Sequence, residues 1–439
     1  MPDTVHILYH YLKTKYGRSF QTREQLKRYQ HKKVKKQLNF VLKHSPFYKE
    51  LYEERIHEHG IENWREFPII EKKAMMEHFD LLNTREIKKA QAFELAIKSE
   101  ESRDFTPMIA DVTIGLSSGT SGNRGLFLVS KSERNRWAGT VLAKLLPDGI
   151  LSIERIAFFL RANSNLYESV GSKRIQFQFF DLLVDVEKHI KTLNEYKPTI
   201  LVAPPSLMRM LATAIQGGKL KINPKKIITV AEVLDPLDKK YIENHFGQMV
   251  HQVYQCTEGF LATTCEYGTL HLNEDLVVIQ KEFLDEDRFS LIITDFSRTT
   301  QPILRYRLND ILTVKKEGCK CGSVFTAIEQ IEGRCDDIFY FQSPTTDNKI
   351  RVFPDFIRRI IISSSDKIEE YQAIQHSLER IEICLTLPKE VQREELYERI
   401  RNLFQDYCAR QKVMVPNITF SEHIQNEKGK KLRRVERRF

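Results

Sequence analysis

Two short segments combine the residue types that handle phosphate. Residues 117–125 read SSGTSGNRG, a turn in which glycines let the backbone approach an anion closely and each exposed N–H or hydroxyl supplies a donor. Residues 254–259 read YQCTEG and set a phenol (Tyr254), a hydroxyl (Thr257) and a carboxylate (Glu258) almost side by side. A nucleotide site uses such groups as a ring to stack, a contact to phosphate and a ligand for Mg²⁺. The first segment is not a Walker loop, because no Gly-Lys-Ser/Thr closes it. Taken singly, each segment also fits a blander reading: a Ser/Gly-rich surface turn for the first, and a strand end with a capping Thr-Glu pair for the second.

Another set of residues suits a metal. Of seven cysteines, Cys265, Cys319 and Cys321 fall with His271 into Cys-x5-His followed by Cys-x-Cys-Gly. Two ligands from one turn and two from a Gly-bearing knuckle can close a tetrahedral Cys₃His zinc site, whose full ligand set implies a structural role. The alternative is two ordinary buried thiols and a reactive pair. Cys256, Cys335, Cys384 and Cys408 read as small core or surface residues.

Three further segments follow in order: RYRLND at 305–310, GRCDD at 333–337 and KGKKLRR at 428–434. The ordered set of five nucleotide-site segments resembles the adenylate-forming ligases, and within them the phenylacetate–CoA ligase relatives that include the synthetases adenylating a deazaflavin cofactor. The resemblance spans roughly residues 25–435. It implies ATP- and Mg²⁺-dependent adenylation of a carboxylic acid, aromatic or heterocyclic, with release of pyrophosphate. Transfer to a thiol would follow, with coenzyme A or a carrier protein's pantetheine as acceptor. A close alternative stops at the adenylate ester. A rival from another class is a degenerate nucleotide-binding or zinc-stapled interaction protein.

The resemblance also implies roles for individual residues. Ser117, Ser118, Gly119, Thr120, Ser121 and Gly122 would hold the β- and γ-phosphates. Arg124 and Gly125 stand where a proline and a lysine normally follow, so either Arg124 replaces the missing cation or the loop relies on backbone donors. Tyr254 would lie against adenine, Thr257 would contact the α-phosphoryl group and Glu258 would ligate Mg²⁺, while Gln255 replaces a usual glycine. Asp310 would accept from both ribose hydroxyls, with Asn309 in place of a common glycine. Arg334 would reach the nucleotide and Asp336 would be the hinge of a small domain. Lys430 matches the lysine delivered to the reacting phosphate, with Lys428 and Lys431 as rivals. Some relatives in this branch carry a structural zinc at the spacing of Cys265, His271, Cys319 and Cys321.

These residues need a scaffold of more than one core, since 439 residues exceed what one compact core accommodates. The sequence predicts an amphipathic helix over 25–44, with Leu26, Val34, Leu38, Val41 and Leu42 as its apolar stripe and Pro46 marking its end. Strand candidates near 156–160, 199–203 and 226–231 alternate with helices near 206–215 and 236–246, the signature of βαβ units and a parallel sheet flanked by helices. Residues 277–322 look antiparallel, as a barrel-like part would. Beyond 333–337 come a helix near 353–364, a strand at 380–386, a helix over 390–410 and a last strand at 418–420. The expected fold is therefore α/β: a large N-terminal core of several subdomains over 1–333, and a small mobile α+β domain over 334–439.

The composition is that of an ordinary globular protein, 41% hydrophobic and 29% charged. No apolar run is long enough to cross a bilayer, and the N-terminus is too polar for a signal peptide. With free-looking cysteines, a cytoplasmic setting is expected. Residues 428–439 hold seven Lys or Arg against one Glu, most of the net charge of +9, so basicity reads as a tail feature. A solvated terminus or a catalytic lysine is preferred there over nucleic acid or membrane as partner. RANSNLYESV at 161–170 either borders an acid pocket or is a surface loop capping a helix.

Overall fold

The computed structural model describes residues 3–17, 19–117, 124–422 and 432–439. Its framework is an eleven-stranded sheet. In spatial order the first five strands are Ile175–Asp181, Glu154–Leu160, Ile200–Ala203, Lys226–Thr229 and Val250–Cys256, all parallel. Ile200, Leu201, Val202 and Ala203 are all buried, which a parallel strand covered on both faces requires. Helices Val186–Tyr196, Pro205–Gln216 and Pro236–Phe246 cover one face, and Lys131–Leu145 covers the other.

After Val250–Cys256 the chain reverses through Thr257 and Glu258, and every later pairing in the sheet is antiparallel. The antiparallel part expected around 277–322 is thus a continuous extension of the parallel part. Helix Arg23–His44, capped by the Thr22 side chain, packs Val34, Leu38 and Val41 onto this half. Pro46 marks a helix end, as expected, but it also opens a second helix, Pro46–His59, for which Ser45 is the N-cap. Helix Arg23–His44 carries eight Lys or Arg and one Glu, which corrects the expectation that basicity is confined to the tail.

The segment 117–125 joins two antiparallel strands, Val112–Leu116 and Leu126–Ser130, of a separate three-stranded sheet. Its stem is closed by Ser117 N–H to Gly125 O at 2.7 Å.

Residues beyond 338 build a core of their own around Phe339, Ile361, Ile383 and Phe404. A four-stranded sheet runs Asn417–Ser421, Arg380–Thr386, Glu370–Ser377, Val435–Arg437, with helices Pro354–Ser364 and Arg393–Gln411 against it. The expected last strand at 418–420 is followed by a further one, Val435–Arg437. It pairs parallel with Glu370–Ser377, so three residues of the basic tail complete a sheet. No helix among the described residues is long and apolar enough to cross a membrane.

Candidate active site

The switch from parallel to antiparallel pairing leaves a crevice at the carboxyl ends of the parallel strands, the usual place for ligands in such sheets. A cavity of about 910 Å³ opens there. Three of the singled-out segments meet in its wall. Tyr254, near the end of the last parallel strand, donates its hydroxyl to Asp310 Oδ2 at 2.5 Å. Asp310 lies opposite Arg334 in the register of adjacent strands, and Arg334 Nε is 3.8 Å from Asp310 Oδ1. Burial pushes the Tyr254 phenol well above its ordinary value, and the Asp310 carboxylate pushes it further. Tyr254 is therefore held as a neutral hydrogen-bond donor to Asp310.

Thr257 and Glu258 form the turn at the edge of the cavity. Glu258 accepts from the Thr257 hydroxyl at 2.8 Å and from Tyr306 at 3.2 Å, so its carboxylate is aimed before any ligand arrives. Arg298 fixes the turn by donating to Thr257 O at 3.0 Å. Asp336 lies outside the cavity wall and accepts from Asn309 Nδ2 at 2.6 Å. Asn309, which departs from the expected glycine, thereby tethers the residue expected to be a hinge. Gln255, the other departure, accepts from Trp137 Nε1 at 3.1 Å. Cys256, read as a core or surface thiol, is half-buried in the cavity wall, and burial beside Glu258 holds it protonated.

Of the loop residues, Ser117 is at the cavity, while Ser118, Gly119, Thr120, Ser121 and Gly122 lie outside the described residues. So does Lys430, with its rivals Lys428 and Lys431; Leu432 and Arg433, immediately beyond them, line the cavity. Arg124 pairs with Glu100. A cation that the sequence reading did not single out, Lys72 on helix Lys72–Glu77, stands at the loop stem with Nζ 3.4 Å from Ser117 Oγ. A Cβ on Gly125 would lie 3.0 Å from Lys72 Cε, so the glycine makes room for this side chain. Burial lowers the Lys72 pKa, against the opposing pull of Glu258. No local spacing could have exposed Lys72, since it reaches the loop only through tertiary contact.

Residues 161–170 do border the cavity, through Arg161, Asn163, Tyr167 and Val170. The apolar part of the wall, from strand Glu154–Leu160 and helix Lys131–Leu145, went unread because it looks like any buried core in sequence.

Away from the cavity, Cys265, His271, Cys319 and Cys321 place one ligand atom each within 4.8 Å of one another. Cys265 Sγ is 3.7 Å from Cys319 Sγ, and Cys321 Sγ is 3.4 Å from His271 Nε2. Tetrahedral zinc with bonds of about 2.3 Å to sulfur needs sulfur–sulfur edges of about 3.8 Å, so the cluster fits that ion. His271 Nδ1 lies 3.2 Å from Phe325 O, a bond that leaves Nε2 as the ligating nitrogen. Glycines with φ of +76° and +68°, Gly268 and Gly322, shape the two turns.

No protein-family model matches the chain. Indoleacetate–lysine synthetase of Pseudomonas savastanoi is 30% identical over 222 residues, 47% of this chain and 55% of that protein. Phenylacetate–coenzyme A ligase of Thermus thermophilus is 20% identical over 380 residues, 80% of this chain and 78% of that one. A 2-hydroxyisobutyryl-CoA ligase, solved in its postadenylation state with an acyl adenylate, has the same fold: TM-score 0.67, 16% identity, 92% of this chain and 88% of that chain. The chain is similar to acid ligases in sequence and to an acyl-CoA ligase in fold. It spans about half the length of the first of these relatives. The same hydroxyisobutyryl-CoA ligase in its thioesterification state gives a TM-score of 0.55 at 17% identity, over 94% of this chain and 90% of that chain.

Proposed function

We propose that this protein joins a carboxylic acid to the α-phosphate of ATP, expels pyrophosphate and passes the acyl group to an acceptor. One observation carries the reading: a single cavity is lined by Tyr254, Asp310 and Arg334, by Thr257 and Glu258, by the loop stem at Ser117, and by an apolar chamber. A carboxylate is a weak nucleophile toward an anionic phosphate, so the reaction needs charge neutralisation and in-line positioning. Asp310 suits the ribose hydroxyls, the Tyr254 ring suits the base, and Arg334 and Lys72 add positive charge. Glu258 would hold Mg²⁺, which when bound neutralises phosphate charge. Lys430 would come to the α-phosphate from the small domain, divided from the core at 333–337 and turning at Asp336. Zinc, held by Cys265, His271, Cys319 and Cys321, would be structural, and the free cysteines suit a cytoplasmic setting.

Coenzyme A is the acceptor that the CoA ligases among the similar proteins suggest; carrier-protein pantetheine is an alternative thiol of the same chemistry. A second reading, in which the acyl group passes to an amino acid, is favoured by the likeness to the indoleacetate–lysine synthetase; an enzyme that stops at the adenylate is the remaining alternative. Exchange of labelled pyrophosphate into ATP across a panel of carboxylic acids tests adenylation. Wild-type protein should exchange with at least one acid, and Glu258→Gln should fold normally yet lose Mg²⁺-dependent exchange. Exchange with no acid would leave a binding module.

A further inference from the structure

The cavity continues from its polar end as a chamber between one face of the parallel sheet and helix Lys131–Leu145. We propose that this chamber takes the tail of a carboxylic acid that is apolar to its far end and longer than a single aromatic ring. The inference rests on the adenylation reading and names the substrate class.

The length follows from which residues line the wall. Ile156, Phe158 and Leu160 alternate on one strand and all three face the chamber, a run of about 13 Å at 3.3 Å per residue. On the helix, Trp137, Val141 and Leu145 recur every fourth position and cover about 12 Å. Two ties orient the helix, one at its middle and one at its carboxyl end. Trp137 is tied to Gln255, next to Cys256 and Thr257. Leu145 O accepts from Nζ of Lys226, the first residue of its strand, at 3.0 Å. The chamber therefore runs from the carboxyl ends of the strands, where the acid would react, toward their amino ends.

Its chemistry changes along that path. Near the mouth stands an aromatic collar, with the Tyr167 ring 5.7 Å from Trp137 and 4.8 Å from Phe158. Deeper, Ile156 is in register with Phe177 and Ile200, and Leu142, Leu146 and Val170 close the back. Two polar side chains beside the apolar part have partners of their own: Thr140 Oγ1 lies 3.4 Å from Thr14 Oγ1, and Thr229 donates to His251 O at 3.1 Å. The buried Oδ1 of Asn163, which has no partner, lies in the loop after the carboxyl end of strand Glu154–Leu160, at the mouth. Charged wall residues are tethered elsewhere, Arg136 to Ser297 O and Arg161 to Glu100. A hydroxyl or carboxylate at the far end of a substrate would lose its water without gaining a partner.

The test is pyrophosphate exchange with straight-chain saturated acids of increasing length, and with the same acids carrying a terminal hydroxyl or carboxylate. We expect kcat/KM to rise by up to about fourfold per methylene until the chamber is full, and a terminal hydroxyl to cost about tenfold to hundredfold. Val170→Phe should move the optimum to shorter acids with KM for ATP unchanged. A best rate with short, hydroxylated or dicarboxylic acids would overturn the proposal while leaving adenylation standing. Conversely, long apolar acids that raise the melting temperature without ATP, yet support no exchange, would uphold the chamber and sink adenylation. Absence of both exchange and thermal shift with these acids would overturn the chamber assignment.

Discussion

At the residue scale, the loop proposed to hold phosphate has Gly125 where a lysine is expected, and the Lys72 ammonium stands at its stem beside Ser117. Replacing Lys72 with alanine should raise KM for ATP about tenfold or more, the effect of losing one charge-assisted hydrogen bond, while Arg124→Ala should act mainly through its ion pair with Glu100. Because burial lowers the Lys72 pKa, this cation is lost as pH rises through a value below the ordinary lysine range near 10.4. ATP affinity should therefore fall at a lower pH in wild type than in Lys72→Arg, as titration by calorimetry would register. Lys430 calls for a different measurement. If its ammonium acts chiefly in the transition state, Lys430→Ala should cut adenylate formation by orders of magnitude with little change in ATP affinity. Acyl transfer from a supplied adenylate should survive. Loss of both half-reactions would make the lysine structural, and loss only in Lys428→Ala or Lys431→Ala would move the role to that neighbour.

At the scale of elements, the turn holding Cys265 and His271 and the knuckle holding Cys319 and Cys321 are linked through one cluster of ligand atoms. Without metal, the pair of knuckle thiols would be unequal. Burial opposes the Cys319 thiolate, but hydrogen bonds involving Thr269 and the Cys321 backbone outweigh it and bring this thiol down to about 6. Burial holds Cys321 up to about 12. Metal analysis should find about one zinc per chain. The double variant Cys319→Ser, Cys321→Ser should lack it and melt at least about 5 °C lower, because metal affinity at a closed site is folding energy. Metal-free wild-type protein of unchanged stability would rule out a structural zinc.

Across the whole molecule, the small C-terminal core is fastened to the large one by a buried cluster of charges around helix Pro236–Phe246. Arg434 grips Asp238 through two 2.9 Å bonds. Tyr371 donates to Asp235 at 2.6 Å, and Arg358 pairs with the same carboxylate at 3.1 Å. Burial works against the Arg434 charge, yet Asp238 and Glu370 overcome it and raise its pKa. One more tie lies nearer the cavity, from Leu432 N–H to Glu232 Oε1 at 3.4 Å, and next to it Arg433 pairs with Asp337 in the boundary segment. Removing one partner of a buried pair costs about 3–5 kcal/mol. Asp238→Asn should therefore loosen the small domain, speed limited proteolysis between the two cores and slow adenylate formation. Unchanged proteolysis and kinetics would mean the latch is dispensable.

The sequence by itself determined much of this protein. Alternating apolar strands and helices dictate a parallel sheet, because each run can bury its side chains in only one arrangement. The residues proposed to handle phosphate could be singled out because their chemistry is packed into short segments, YQCTEG above all. The four metal-type ligands were legible for the same reason, their spacing being local within each turn. What depends on long-range packing was not legible. Lys72 meets Ser117, Tyr254 meets Asp310, and Asp238 meets Arg434 only once the chain has folded. The apolar chamber escaped notice because Ile156, Phe158 and Leu145 have the same types and periodicity whether they fill a core or line a cavity. Whether such residues touch each other or leave a space between them is decided by how the helix sits on the sheet, which only the tertiary structure sets.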